Sequence, residues 1–215
     1  MSTIMPTQPP SRWIQKRLAR LTVDQYEAMV DSGVFTKRDR FTLINGFLVA
    51  KVPKSPRHTF IAKNLGKKLK GLIPSGWDFR IEDAVRLADS EPEPDVSVAR
   101  GDIEDYADRH PGPADLAIVV EVAASSVSED RQMADVYGPA GIPVYWILNL
   151  KVRQVEVYTL LKRPGALRYG KPRIFKAGQS VPVVIDGVAV GQIAVADILP
   201  RDPSGARPAA GGNGA

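Results

Sequence analysis

The sequence predicts an α/β fold, a mixed central sheet flanked by helices, with a β-hairpin near each end. Three observations predict it. Leu116–Val122 is the most hydrophobic run in the chain and reads as a central strand buried on both faces. A helical pattern from about Glu129 to Pro139 separates it from a second apolar run, Val144–Leu148, and a helix between two buried strands marks a parallel pair joined by a crossover. Asn45-Gly46 and Asp186-Gly187 each lie between apolar runs, where a two-residue turn needs positive φ at both positions.

Taken in order, Thr22 caps a helix, with Gln25 completing a capping box, Gly33 ending it, and Tyr26, Met29 and Val30 forming its buried stripe. Thr42–Ile44 and Phe47–Val52 flank the first turn, and Pro53-Lys54-Ser55-Pro56 breaks the sheet. His58–Ile73 is an amphipathic helix with Ile61, Leu65, Leu69 and Leu72 on one face. Its Lys63, Lys67, Lys68 and Lys70 suit a solvated face more readily than a phosphate-tracking one. Trp77–Leu87 is a strand with a bulge or bend near Asp83, and Asp95–Ala99 is a short strand. Residues 100–114 form a loop with one helical turn at Ile103–Ala107. Ser125, Ser126 and Ser128 offer caps for the crossover helix, whose apolar face is Met133, Val136, Tyr137 and Ala140. Gln154–Thr159 is a further strand, 161–175 a loop, and Val181–Ile185 with Val188–Ala194 the closing hairpin.

The chain has 215 residues, 44% of them hydrophobic, enough for a single domain over 15–200. Residues 1–14 are expected to be disordered, apart from Trp13 and Ile14 docking on the core, and 201–215 form a disordered tail. The absence of cysteine excludes disulfides, zinc–thiolate centres and thiol nucleophiles. A net charge of +5 is compatible with phosphate-bearing partners. With neither an apolar leader nor a run long enough to span a membrane, the expected location is the cytoplasm.

Two carboxylates stand out chemically. Asp95 opens one apolar strand and Glu121 interrupts another, and a carboxylate there is costly to desolvate without a partner or a cation. If the strands are neighbours, both acids converge, and two carboxylates are the usual protein share of a Mg²⁺ site. The competing reading gives Asp95 a turn-capping role and Glu121 an arginine partner.

Asn45-Gly46, Ser55-Pro56-Arg57-His58 opening a helix, and Pro94-Asp95-Val96-Ser97-Val98 resemble the Uma-two family of restriction endonucleases, within the PD-(D/E)xK nuclease superfamily. So do Val120-Glu121-Val122, Asp130-Arg131, Tyr137 and Gly141-Ile142-Pro143-Val144-Tyr145-Trp146. The resemblance covers residues 22 to about 160. It implies a restriction-endonuclease-like core and Mg²⁺-dependent (or Mn²⁺-dependent) hydrolysis of DNA, with a homodimer as a further option. Asp95 and Glu121 would be catalytic metal ligands and the Val122 carbonyl a third ligand. Glu82, His58 and Arg131 are accessory candidates, although His58 reads more simply as a helix-start residue and Glu82 as a half-exposed strand glutamate. Tyr145 and Trp146 read as core rather than as a base-stacking platform.

This sequence departs from the family pattern in several respects, its crossover helix also being one residue shorter. The superfamily's lysine position, two after the glutamate, is Ala123, and the helix stretch where this family tends to carry it reads Gln132-Met133-Ala134-Asp135. Acidic residues around the first hairpin are replaced by Asn45, Phe47 and Ala50. Lys51, Arg80 and Arg131 are the substitutes the sequence offers. Without one, the expected alternative is a weak or inactive nuclease-fold module that binds nucleic acid or a protein partner, a structural subunit using the closing hairpin being a third class.

Overall fold

The computed structural model describes residues 11–15, 17–35, 39–124, 127–163 and 166–199. Most of the two expected disordered ends, together with the caps assigned to Ser125 and Ser126, lies outside them. Within the first segment, α1 (Arg12–Gln15) is a single helical turn, and Trp13 is 65% exposed rather than docked.

The helix α2 (Val23–Asp31) starts with the expected capping box, Thr22 accepting from the Gln25 N–H and Gln25 from the Thr22 N–H. It buries Val23 and Tyr26, whereas Val30 points to solvent, because the packing stripe starts one turn earlier than its apolar pattern suggests. Its C-cap is Ser32, with Gly33 one residue later in the left-handed conformation. Strands β1 (Phe41–Ile44) and β2 (Phe47–Ala50) form the first hairpin, with Asn45 and Gly46 both at positive φ.

Next comes α3 (Pro56–Lys70), with Ser55 as N-cap and Pro56 at its first position, where the missing N–H costs nothing. Ile61, Leu65 and Leu69 pack it on the sheet. The helix ends before Leu72, which reaches the core from the following turn.

The main sheet has seven strands. In order across the sheet these are β3 (Trp77–Arg80), β4 (Val96–Arg100), β5 (Leu116–Ala123), β6 (Val144–Asn149), β7 (Gln154–Arg163) and β8 (Ala166–Tyr169), with β9 (Arg173–Lys176) also pairing with β7. Only β5 and β6 are parallel, and the connection between them is α4 (Val127–Ala140). Ser128 lies inside α4 rather than capping it. Core residues divide between the two faces of the sheet: Val96, Val98, Ile118, Val120 and Val122 face α3, while Val119, Ala123, Tyr145 and Ile147 face α4.

Two expectations fail here. The strand from Trp77 stops at Arg80, because Glu82 takes a left-handed backbone (φ 57°) and its N–H turns to the Asp95 carbonyl. The stretch 161–175 is not a loop, since β7 runs on to Arg163 and backbone pairing with it makes strands of β8 and β9.

The closing hairpin, β10 (Ser180–Ile185) and β11 (Val188–Ala194), turns at Asp186-Gly187 as expected and leads into the short helix α5 (Val195–Ile198). Val181, Val183, Ile185 and Ile193 are buried in the core on the α3 side, so this face is consumed internally and is not an interface for a partner. Among the described residues, no helix is long and apolar enough to cross a membrane.

Candidate active site at the end of the central strands

The register of β4 and β5 brings the two acids together. Val96 pairs with Val120 at the end of the antiparallel ladder, so Asp95 and Glu121 are the next residues beyond it on the two strands, and both line one cavity.

Asp95 is only 2% exposed and heavily partnered. Its Oδ2 accepts a 2.7 Å hydrogen bond from the Val122 N–H. Its Oδ1 lies 2.7 Å from the Lys54 ammonium and 2.7 Å from His58 Nε2. The imidazole contact is close but off the line of a good hydrogen bond, and Nε2 is otherwise unpartnered. Burial works to raise the Asp95 pKa, yet His58 and Lys54 hold it below the ordinary carboxylate value. The reverse holds for Lys54, where burial works against the charge and Asp95 and Glu82 more than offset it.

Glu121 has a different environment. Its Oε1 accepts from the Tyr137 hydroxyl at 2.9 Å. Desolvation, then Asp95, then Asp130 push its carboxyl well above the ordinary range, against smaller opposing effects of Tyr137 and Lys54. Asp130, at the start of α4, is pushed up to about 6 by burial, Asp95 and Glu129. Tyr145 donates to the Asp130 carbonyl at 2.7 Å, and Tyr137 and Tyr145 together fasten α4 over the acids. Both tyrosines and Trp146 are core residues, as the sequence suggested.

Three cavities lie at or beside these groups. One of about 350 Å³ is lined by Asp95, Glu121, Val122, His58, Lys54 and Asp130. A second, of about 610 Å³, runs along the first hairpin and α4 past Glu121 and Asp130. The third, of about 490 Å³, lies between α3 and Glu82, bordered by Arg40, Lys54 and Lys63.

Of the accessory candidates, His58 and Glu82 belong to the site, the latter through Lys54 at 3.3 Å. The Ser55 cap sets His58 in place, because the same turn that gives its N–H to Ser55 Oγ aims its ring at Asp95. Arg131 does not belong: it forms a two-pronged pair with Glu156 at 2.9 and 2.7 Å. Arg80 pairs with Asp83 and lies over the Tyr106 ring, and Lys51 pairs with Glu93. None of the three substitutes read from the sequence touches Asp95 or Glu121. The cation that does is Lys54, which sequence reasoning passed over as part of a sheet-breaking segment. Asp130 was also missed as an acid of the site, although its place one turn into a helix after a buried carboxylate strand was a usable signal.

Whether this donor set suits Mg²⁺ can be tested on its chemistry. Among the described residues no cluster of three or more His, Cys, Asp or Glu side chains has metal-binding geometry. Mg²⁺ does not need one, since it keeps several waters and takes one or two carboxylates. The Val122 N–H points to Asp95 on the β4 side, and in an extended strand the carbonyl of the same residue projects to that side too. Two carboxylates and a main-chain carbonyl are hard oxygen donors, and the suppressed ionisation of Glu121 is what a cation would relieve. The residues fit.

A mixed sheet carrying a carboxylate pair at the ends of neighbouring strands, packed by a helix on each face, defines a nuclease-like fold. Residues 23–190 match the Uma2 family, described as "Putative restriction endonuclease", and the chain belongs to that family. Among solved structures it is similar to one titled a putative nuclease belonging to DUF820 from Anabaena variabilis, at 15% identity and a TM-score of 0.62, covering 83% of this chain and 97% of that one. That likeness speaks for the fold. No curated protein matches the sequence.

Proposed function

We propose that the protein is a Mg²⁺-dependent endonuclease that hydrolyses phosphodiester bonds in DNA at Asp95 and Glu121. One observation carries this reading: two acids from adjacent strands meet at a cavity mouth, with their ionisation pushed in opposite directions. Opposed shifts at one cavity are a frequent feature of groups arranged for chemistry. Asp95, Glu121 and the Val122 carbonyl would hold the ion (Mn²⁺ being an alternative), and when bound it would supply Lewis-acid polarisation of a phosphoryl oxygen and a more acidic water.

The chain's own residues do the rest. Tyr137 fixes the Glu121 carboxylate, the Val122 N–H fixes one Asp95 oxygen, and α4 covers both from the side. DNA as substrate is supported by the family description and by the net charge of +5.

A second reading, an inactive module on the same fold, draws on the saturation of Asp95 by Lys54, His58 and the Val122 N–H, which is how a structural acid would look. Nicking of supercoiled plasmid with and without Mg²⁺ separates the two. Under the nuclease reading, wild type nicks only with the metal, and Asp95→Asn and Glu121→Gln each lower the rate by ~10²-fold or more. Equal rates in all three proteins, or DNA binding with no cleavage in any metal, would favour the second.

A further inference from the structure

We propose that Lys54 is a catalytic residue of this site, its ammonium facing the cleaved phosphate in the position that the absent lysines of the family pattern leave open. The inference rests on the nuclease reading given above. Its ground is placement. Lys54 Nζ is 2.7 Å from Asp95 Oδ1 and 3.3 Å from Glu82. Alone among the described residues, it lines all three of the cavities at and beside the site. Lys54 therefore borders the cavity at the two acids and both of its neighbours.

The three substitutes read from the sequence are engaged elsewhere, Lys51 by Glu93, Arg80 by Asp83 and Arg131 by Glu156. Lys54 comes from the segment joining β2 to α3, and Ser55, immediately after it, is locked as the α3 cap. Its backbone is thus anchored while its side chain, only a quarter exposed, bridges two elements. A divalent ion held by Asp95 would compete with the ammonium and with His58 for its carboxylate and would repel the ammonium, leaving Glu82 as the second anchor of Lys54.

In the reaction, a water oxygen bonds to phosphorus and the bond from phosphorus to one sugar oxygen breaks. The attacking water loses its proton to solvent, and solvent protonates the departing alkoxide. Lys54 transfers no proton. It offsets negative charge building on the phosphate oxygens, a role whose loss costs about 10²–10³ in rate.

The test is plasmid nicking at saturating Mg²⁺, paired with Mg²⁺ titration followed by thermal shift. Lys54→Met removes the charge at nearly constant volume. It is expected to nick ~10²-fold more slowly while loading Mg²⁺ at a lower concentration than wild type, since the competing cation is gone. Wild-type nicking by Lys54→Met at saturating metal overturns the proposal, as does an unchanged or higher Mg²⁺ midpoint. Should Lys54→Met not fold, Lys54→Arg decides: it keeps the charge and is expected to stay within about tenfold of wild type, and a loss as deep as that of Asp95→Asn overturns the role. A wild type that never nicks sinks the nuclease reading itself, an outcome distinct from an active Lys54→Met.

Discussion

Two glutamates in one cross-strand row, Glu121 and Glu156, sit in opposite electrostatic environments. Glu121 pairs with Ile147 across β5 and β6, and Ile147 pairs with Glu156 across β6 and β7. Both carboxylates therefore face α4, with β6 between their strands. Glu156 is 1% exposed and fully answered, by the Arg131 fork, by Asn149 at 3.1 Å and by Gln154 at 3.2 Å. Burial works to raise its pKa, but Arg131 and the two amides hold it below the ordinary value. Glu121 has one neutral hydroxyl and two acidic neighbours, and is pushed the other way. The same residue type on the same face is satisfied in one place and left wanting positive charge in the other. Between these two glutamates the difference is the nearby cation, not burial.

Several variants can break or sharpen that contrast. The largest expected effect is on activity: Glu121→Gln lowers Mg²⁺-dependent nicking by ~10²-fold or more, whereas Arg131→Met leaves nicking within a few-fold of wild type. Comparable activity losses in both would erase the distinction. Stability should show the opposite ranking. Arg131→Met strands the Glu156 carboxylate with neutral donors only and is expected to cost about 1–3 kcal/mol in urea unfolding, the arginine's half exposure keeping it below the worst buried-pair cases. Metal-free Glu121→Gln is expected within about 0.5 kcal/mol of wild type, or slightly above it, because it relieves repulsion and keeps an acceptor for Tyr137. A large loss there would show that the Glu121 charge stabilises the fold.

The smallest effect concerns a third buried acid, outside the site. Glu91 is 6% exposed, with Oε2 unpartnered, and is pushed up to about 8 by burial and by Glu27, with Glu93 adding to this and Arg86 opposing it. The folded chain therefore keeps a proton that the unfolded chain releases near its ordinary value of 4.5. Stability from this group is fully present below that value and is lost as pH rises through about 8. Glu27, lowered first by its hydrogen bond to Arg86, contributes in the opposite sense at lower pH, so the pair titrates together. Glu91→Gln should flatten the fall in melting temperature between pH 5 and 8, and an unchanged slope would assign that fall elsewhere.

Much of this was legible in the chain. Asn45-Gly46 and Asp186-Gly187 announce their hairpins because few other pairs tolerate two positive φ values. The parallel pair β5–β6 shows itself through two apolar runs around a helical pattern, and the Asp95–Glu121 pairing follows once those strands are neighbours. Strands β8 and β9 did not show, because four-residue segments are too short to establish a period and are held as strands by backbone pairing to β7. Lys54 was equally hidden. Its partner is set by the path of the chain over the end of the sheet, and nothing local in Val-Pro-Lys-Ser-Pro distinguishes a lysine facing solvent from one that meets a buried aspartate.

Calorimetric titration of Mg²⁺ into wild type, Glu121→Gln and Arg131→Met tests most directly whether the two strand acids hold an ion. The expected result is saturable binding to wild type and to Arg131→Met, lost or greatly weakened in Glu121→Gln. Superimposable isotherms for wild type and Glu121→Gln would contradict it.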